Sequence, residues 1–233
     1  MSEKTEHDAD TATAFLAWDN RWSSEQGRVD WTAPEADVRR IVPELRKRGF
    51  LTLLDLGCGI GRHYLFLASQ GFRVFGADAS LNARELTKNA ALEADLPIDI
   101  RHCLMTDLQY EDEFFDYVLA WNVVYHGSRD IVKRTLSEIH RVLRPQGIFQ
   151  GTMLSTRDRY YGLGRQIDTN TFVAEVDDED KQHPHFYCNG SELVSLLKGF
   201  EILSLQLCEH KRPGSYHWNI VAEKVPPDTA GCC

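Results

Sequence analysis

The seven residues DLGCGIG, residues 55–61, form a glycine-rich turn between an apolar run at residues 51–55 and a helical pattern at residues 62–69. Glycines let the backbone approach a ligand closely, and N–H groups at a helix start favour polar ligands. Arg62 stands where a dinucleotide-binding G-x-G-x-x-G motif would place its last glycine. The sequence also has no G-x-x-x-x-G-K-[ST] phosphate loop. The turn therefore favours a nucleotide-like ligand without a pyrophosphate.

Strands and helices alternate beyond this turn. Further apolar runs at residues 72–78, 98–103, 115–122 and 148–154 alternate with helical patterns at residues 81–94 and 131–143. This alternation predicts an α/β fold with a doubly wound, mostly parallel sheet. Two alternating segments at residues 200–208 and 216–223 predict a closing antiparallel C-terminal hairpin, which brings the expected sheet to seven strands.

We predict a single domain over residues 1–233, because this length suits one sizeable core. Its expected parts are an N-terminal helical cap at residues 14–48, a ligand-binding core at residues 51–154, a lid insertion at residues 155–190, and a C-terminal helix and hairpin at residues 191–225. The lid is inferred from a long polar segment that contains an acidic run at residues 175–180. Long segments of this kind are often functional.

Composition disfavours several classes of protein. Lys+Arg 26 against Asp+Glu 35 gives a net charge of −9, which repels a long polyanion, so nucleic acid is an unfavourable partner. No apolar run approaches the ~20 residues of a membrane helix, and the first residues are acidic where a secretory signal is basic and apolar. We therefore expect a cytoplasmic protein without a membrane partner, present as a monomer or homodimer.

The cysteines predict reduced thiols rather than disulfides or a metal site. No C-x-x-C framework is present among the six cysteines. His183, His185 and Cys188, with Cys208 or His210, offer metal-binding groups, but they lack the C-x-x-C or H-x-x-x-H spacing of common zinc sites. We therefore predict no metal.

Acidic residues follow three strands in an order that suggests one ligand. Asp55, at the end of the first strand, would attract an ammonium group and repel a phosphate. Asp78, 19 residues after Gly59, can accept both hydroxyls of a ribose. Asp107 can accept from an exocyclic amine while Leu108 covers a purine face. An amino acid, a ribose and an adenine in this order describe S-adenosylmethionine.

The same motifs resemble those of class I S-adenosylmethionine-dependent methyltransferases over about residues 51–154. The elements of that family occur in order as LLDLGCGIG, FGADAS, MTDL, FDYVLAWNVVYH and HRVLRPQG. The resemblance implies a seven-stranded Rossmann-like fold, S-adenosylmethionine as cofactor and S-adenosylhomocysteine as product. The implied cofactor contacts are Gly57, Gly59 and Gly61 at the methionine part, Asp78 and Ala79 at the ribose, Asp107 and Leu108 at the adenine, and Asn122 at the methionine end.

The tryptophans near the N-terminus carry a second resemblance. Trp18, Trp22 and Trp31 resemble the start of thiopurine, plant thiol and tellurite-resistance-type methyltransferases, in which this segment folds over the cofactor. The resemblance implies that Trp18 and Trp22 bind the cofactor and that Trp31 borders the substrate. Aromatic faces attract a sulfonium cation. The alternative is that Trp18 and Trp22, at i and i+4, only pack a helix onto the sheet.

Histidines and tyrosines supply the candidate acceptor site. His126, at the end of the strand-four segment, is the predicted catalytic residue, as an acceptor contact or general base. The alternative is a loop histidine bonded to the backbone. The predicted substrate-binding residues are Trp31, Tyr160, His185, Tyr187 and His217.

The predicted function is transfer of a methyl group from S-adenosylmethionine to a small-molecule acceptor, with a thiol or another soft nucleophile preferred. Two alternatives stay open. A protein or RNA methyltransferase is disfavoured by the net acidity and by the lack of a second recognition domain. A non-catalytic regulatory module would bind S-adenosylmethionine but lack an acceptor cavity.

Overall fold

The computed structural model describes residues 13–174 and 181–226. The predicted acidic run at residues 175–180 lies outside the described residues, as do both chain ends, residues 1–12 and 227–233. Ten strands in the described part of the chain belong to one open sheet.

The centre of this sheet has the predicted architecture. The strands are β1 (Thr52–Leu56), β2 (Arg73–Asp78), β3 (Ile100–His102), β4 (Phe115–Ala120), β5 (Leu143–Ser155), β6 (Arg165–Asp168), β7 (Thr171–Val173), β8 (His185–Cys188), β9 (Phe200–Glu209) and β10 (Tyr216–Lys224). The first five pair in parallel in the order β3-β2-β1-β4-β5, and the hairpin of β9 and β10 joins β5 antiparallel. These seven strands confirm the predicted fold class.

Three short strands are additional to the seven that the sequence predicts. β6, β7 and β8 pair antiparallel within the predicted lid, and β8 pairs in parallel with the end of β5 at Leu154 and Ser155. Each is only three or four residues long, too short to show a clear alternating pattern. The lid is thus anchored on the central sheet.

Helices cover both faces of the sheet. They are α1 (Ala14–Trp22), α2 (Glu25–Arg28), α3 (Ala36–Lys47), α4 (Arg62–Ser69), α5 (Leu81–Glu93), α6 (Arg129–Val142) and α7 (Gly190–Leu196), with a 3-10 turn at Val29–Trp31. Leu53 of β1 packs in one core with Leu67 of α4, whereas its neighbour Leu54 packs in the other core with Leu136 of α6. Successive strand side chains point to opposite faces. The sheet is therefore doubly wound, as predicted.

Side-chain caps fix where three of these helices begin. Ser80, Ser128 and Asn189 each accept a hydrogen bond from the backbone N–H three residues later, at 3.0, 3.4 and 2.9 Å. Such caps satisfy N–H groups that have no partner inside the helix. The Ser80 cap starts α5 two residues after β2 ends, at the edge of the sheet where a ligand is expected.

Candidate active site

A cleft lies at the carboxyl ends of β1, β2 and β4, which is where open α/β sheets bind ligands. The empty space within it, including open solvent at the mouth, is about 1020 Å³. The lining includes Trp18, Trp22 and Trp31 from the N-terminal cap, Gly57, Gly59, Arg62 and His63 from the glycine turn and α4, Asp78 and Ala79 after β2, Leu104, Met105 and Thr106 after β3, and Asn122, Val123 and His126 after β4.

The glycine turn forms the floor of the cleft. Gly57, Gly59 and Gly61 have φ angles of +65°, +55° and +86°, a region that favours glycine. A Cβ atom on Gly57 would lie 2.3 Å from Cγ2 of Val123, and one on Gly61 would lie 2.6 Å from Cγ2 of Thr87. Gly61 packs against α5 and is not part of the lining, whereas Gly57 and Gly59 are.

Asp78 is held in place beside the glycine turn by two backbone groups. Its Oδ2 accepts the Gly59 N–H at 2.9 Å, and its Oδ1 accepts the Ser80 N–H at 2.8 Å. Burial raises the pKa of Asp78, and these two hydrogen bonds oppose that rise. Each carboxylate oxygen can accept a further hydrogen bond. The group therefore suits a ligand that donates two hydroxyls.

Asp55 lies behind the cleft rather than in its lining. It is 1 % exposed, and its Oδ2 has no hydrogen-bond partner among the described residues. Burial raises the pKa of Asp55 to about 7, although the nearby Arg62 guanidinium opposes the rise. An additional cation on this side of the turn would favour the ionised carboxylate.

The loop after β3 presents different residues from those predicted at the adenine. Leu104, Met105 and Thr106 line the cleft, whereas the predicted Asp107 and Leu108 do not. Asp107 is exposed, and its N–H closes a turn onto Leu104 O at 3.1 Å. Leu108 is buried in the core. The turn therefore directs the preceding residues toward the cleft and carries Asp107 and Leu108 away from it.

Three tryptophans form the wall opposite the glycine turn. The rings of Trp18 and Trp22 stack with centroids 5.0 Å apart, and Trp31 meets Trp18 edge-on at 5.2 Å. Asp19 fastens this wall to the start of α5, because its Oδ1 accepts a hydrogen bond from the hydroxyl of Ser80 at 2.7 Å. Trp18 and Trp22 thus both line the cleft and stack on each other.

Arg62 and His63, neither of which was a predicted site residue, connect the turn to the cap. Arg62 is buried, and its Nη1 donates to Glu35 Oε1 at 2.8 Å. Burial and the adjacent Arg62 charge hold the pKa of His63 well below its usual range. The neutral His63 ring can then accept the Glu35 N–H at its Nε2, at 3.2 Å. The segment before α3 is therefore fixed against the glycine turn.

Asn122 and His126 form the end of the cleft away from β3. Asn122 has a left-handed backbone with φ of 60°, and its N–H donates to Thr152 Oγ1 at 2.8 Å. His126 is 5 % exposed, and its Nε2 lies 2.9 Å from Asn122 O. Its Nδ1 lies 2.8 Å from Nε2 of His183 in the lid. The predicted catalytic histidine thus faces the cleft and has a second histidine behind it.

The remaining predicted substrate residues lie outside the lining. Tyr187 is buried in the core, and the hydroxyl of Tyr160 accepts from Arg159 Nη2 at 3.0 Å. His217 on β10 stacks on Tyr125 with centroids 5.6 Å apart. These side chains fasten the lid and the last strand to the domain. Among the described residues of that predicted group, Trp31 lines the cleft directly.

Comparisons with known proteins bear on this geometry. A family described as "Methyltransferase domain" matches residues 53–147. The ubiquinone biosynthesis O-methyltransferase of Bartonella bacilliformis is 33% identical over 113 residues, which cover 48% of this chain and 45% of that protein. The malonyl-[acyl-carrier protein] O-methyltransferase of Salmonella typhimurium is 28% identical over 141 residues, which cover 56% of this chain and 52% of that protein. The chain spans about half the length of the curated relatives it matches.

A solved structure extends the likeness to nearly the whole chain. It is the Burkholderia thailandensis 1,6-didemethyltoxoflavin-N1-methyltransferase with bound 1,6-didemethyltoxoflavin and S-adenosylhomocysteine. It superimposes with a TM-score of 0.69 at 24% identity, covering 97% of this chain and 94% of that chain. Residues 53–147 match a methyltransferase domain, and the chain has the class I methyltransferase fold. The predicted family resemblance is confirmed.

The matched residues 53–147 include the glycine turn, Asp78, Asn122 and His126. In the sequence, the tryptophan wall precedes this range and the lid histidines follow it. No helix in residues 13–174 and 181–226 is long and apolar enough to cross a membrane.

Sequence reasoning missed Arg62 and His63 because it treated them as the ordinary start of a helix. Their position directly after the third glycine was the available signal.

Proposed function

We propose that this protein transfers a methyl group from S-adenosylmethionine to a hydroxyl oxygen of a small molecule. The observation that carries the proposal is one cleft whose lining includes both Asp78 and His126. The presence of Asn122 and His126 in the lining of the same cleft favours an enzyme over a non-catalytic module, because the cleft continues to polar groups that an acceptor could contact. The net charge of −9 continues to disfavour RNA.

The residues present fit the cofactor. Asp55 keeps an unpartnered carboxylate oxygen behind the turn, which suits a nearby ammonium group. Gly59 and Trp22 both line the cleft and face each other closely, because a Cβ added to Gly59 would lie 3.4 Å from the Trp22 ring. Asp78 can accept two ribose hydroxyls. When bound, S-adenosylmethionine supplies an electrophilic methyl group on a positively charged sulfur.

The chain's own residues would then position the reactants and exclude water. Trp18 and Trp22 close one side of the cleft with aromatic faces, which attract a cation. In-line displacement depends on alignment, and the Asn122 turn, held by the hydrogen bond from its N–H to Thr152 Oγ1, would help to align the reactants. The N-terminal cap covers the cleft through Trp18, Trp22 and Trp31, and His183 of the lid contacts His126 at the acceptor end.

An oxygen acceptor is favoured over the thiol that the sequence suggested. Two curated relatives are named O-methyltransferases, and this chain matches about half the length of each. A hydroxyl needs help to lose its proton, and a histidine with a buried histidine partner stands at the acceptor end. A thiol needs less help, because its ordinary pKa is about 8.5.

Calorimetric titration with S-adenosylhomocysteine tests the cofactor site. Asp78→Asn places an NH₂ donor against one of two backbone N–H donors, so this variant should lose about 1–3 kcal/mol of binding free energy, roughly a factor of 5 to 150 in affinity. Asp95→Asn, at an exposed turn, is the matched control and should bind as wild type does. Equal binding by both variants would contradict the assignment of Asp78.

An acceptor screen tests the reaction. S-adenosylhomocysteine release should be measured with panels of phenols, hydroxy acids, carboxylates and thiols. We expect turnover with oxygen acceptors that His126→Gln reduces. Turnover with thiols alone would overturn the oxygen assignment while leaving the methyltransferase intact, and no cofactor binding by folded wild type would overturn both.

A further inference from the structure

Three buried histidines come together at the acceptor end of the cleft. His126 follows β4, while His183 and His185 belong to the lid, and they are 5 %, 4 % and 1 % exposed. One imidazole nitrogen of each lies within 4.8 Å of the others, and the three ring centroids are 4.4 to 4.9 Å apart. A backbone bridge between His126 and His185 holds the two segments in register.

Hydrogen bonds to main-chain carbonyls fix which nitrogens of two rings carry protons. His126 Nε2 lies 2.9 Å from Asn122 O, and His185 Nδ1 lies 2.8 Å from His183 O. A carbonyl oxygen only accepts, so these two nitrogens are the donors. In neutral rings, His126 Nδ1 and His185 Nε2 then present lone pairs. Histidines that bind metals commonly donate their other N–H to a backbone carbonyl in this way.

We propose that His126, His183 and His185 bind a divalent transition-metal ion such as Zn²⁺, with an open coordination position for the acceptor. Bonds of about 2.0–2.1 Å in a tetrahedral site require ligand nitrogens about 3.4 Å apart and ring centroids about 5 Å apart. The closest nitrogen pair is at 2.8 Å and the centroids are at 4.4 to 4.9 Å. Because no pair of these ligand nitrogens is more than 4.8 Å apart, the rings reach this geometry by adjustments of about 1 Å.

The donor set selects the class of ion. Imidazole nitrogens suit Zn²⁺, Co²⁺, Ni²⁺, Cu²⁺ and Fe²⁺, whereas Mg²⁺ and Ca²⁺ prefer oxygen ligands. Three protein ligands with a fourth position open are typical of catalytic rather than structural zinc sites. His126 also lines the cleft, which places that site beside the space for the acceptor.

Lys181 is the one cationic side chain with a described contact to this cluster, at 3.4 Å from Nζ to His185 Nε2. A metal cation on the same nitrogen requires this half-buried ammonium group to move away. Its four-carbon chain is flexible enough to do so. Removing the charge of Lys181 should therefore increase the affinity of the cluster for the metal ion.

The role of the ion rests on the proposed function, whereas its binding does not. A hydroxyl acceptor at the open position would lose its proton to solvent more readily, because the cation stabilises the resulting oxyanion. The oxygen lone pair then forms the new O–C bond. The electron pair of the broken S–C bond stays on the sulfur of the donor. Sequence spacing alone predicted no metal, since it grouped His183 and His185 with Cys188 instead of His126.

Metal retention by the full chain tests the proposal. Protein stripped with a chelator is given one equivalent of Zn²⁺ or Co²⁺, desalted, and measured by elemental mass spectrometry and visible absorption. We expect about one ion per chain and the intense visible bands of tetrahedral Co²⁺. His126→Gln and His183→Gln should each weaken binding at least tenfold, Lys181→Met should strengthen it, and His102→Gln, exposed on β3, should leave it unchanged.

Two results would overturn the site. One is a folded wild-type protein that retains no ion, and the other is equal retention by wild type and all histidine variants. Thermal melting of each variant shows which ones are folded, and only folded variants are interpreted. If no histidine variant is folded, metal retention by the wild type alone decides the proposal. Titration of the same samples with S-adenosylhomocysteine separates the two proposals, because cofactor binding without metal retention overturns only the metal site.

Discussion

Replacing Gly57 by alanine should destabilise the protein far more than the same change at Gly71. Both glycines have positive φ angles, +65° and +87°. A Cβ on Gly57 would meet Val123 Cγ2 at 2.3 Å, whereas a Cβ on Gly71 would have nothing within 4 Å. The pair therefore separates backbone strain from overpacking at the floor of the cleft.

The two contributions can be estimated separately. A left-handed alanine costs about 1–2 kcal/mol, and this applies to both positions. Forcing Val123 to move adds about 1–3 kcal/mol at position 57, as expected for an overpacked core. Gly57→Ala should then lose about 2–5 kcal/mol of unfolding free energy, and Gly71→Ala about 1–2 kcal/mol.

Urea unfolding followed by circular dichroism measures these values. The double variant Gly57→Ala with Val123→Ala should recover at least about 1 kcal/mol relative to the sum of the single changes, because the clash is removed. It should also recover binding of S-adenosylhomocysteine, since Val123 lines the cleft. If Gly57→Ala and Gly71→Ala are equally stable, the close approach to Val123 does not constrain the turn and this reasoning is refuted.

Three further outcomes follow from contacts in the site. Because burial raises the pKa of Asp55 to about 7, the folded state holds an extra proton between pH about 4 and 7, so unfolding free energy should fall as pH rises through this window. Asp55→Asn should flatten that slope in urea unfolding at pH 5 and 7. Trp18→Ala should weaken S-adenosylmethionine binding by about 1 kcal/mol in calorimetry, as one cation–π contact with the sulfonium is lost, whereas S-adenosylhomocysteine, whose sulfur is uncharged, should lose less. Glu35→Gln, which leaves the buried Arg62 charge without its partner, should cost about 3 kcal/mol in urea unfolding, whereas the exposed Glu85→Gln should cost less than about 0.5 kcal/mol.

Much of the fold could be predicted from the sequence because its determinants are local. The alternation in each strand decides which residues enter which core, as Leu53 and Leu54 illustrate. The glycine turn and Asp78 were also predictable, since both directly follow parallel strands and the carboxyl ends of those strands meet at one edge. Asn122 and His126 follow β4 by the same rule.

Loop directions could not be predicted in this way. Asp107 has the chemistry to face an adenine, but the turn closed onto Leu104 points Leu104, Met105 and Thr106 into the cleft instead. A sequence pattern records which residues occur in a turn but not how the turn is rotated relative to the sheet. Packing against α6, where Leu108 N–H donates to Glu138 at 2.7 Å, sets that rotation.

The sequence by itself determined the α/β sheet, the methyltransferase motifs and the residues at the strand ends, because hydrophobic periodicity and glycine spacing act over a few neighbouring residues. Only the tertiary structure decided which distant groups meet. His126 and His183 are 57 residues apart and come within 2.8 Å because β8 docks beside the segment that follows β4. Such contacts depend on how the whole chain packs, and no local pattern encodes them.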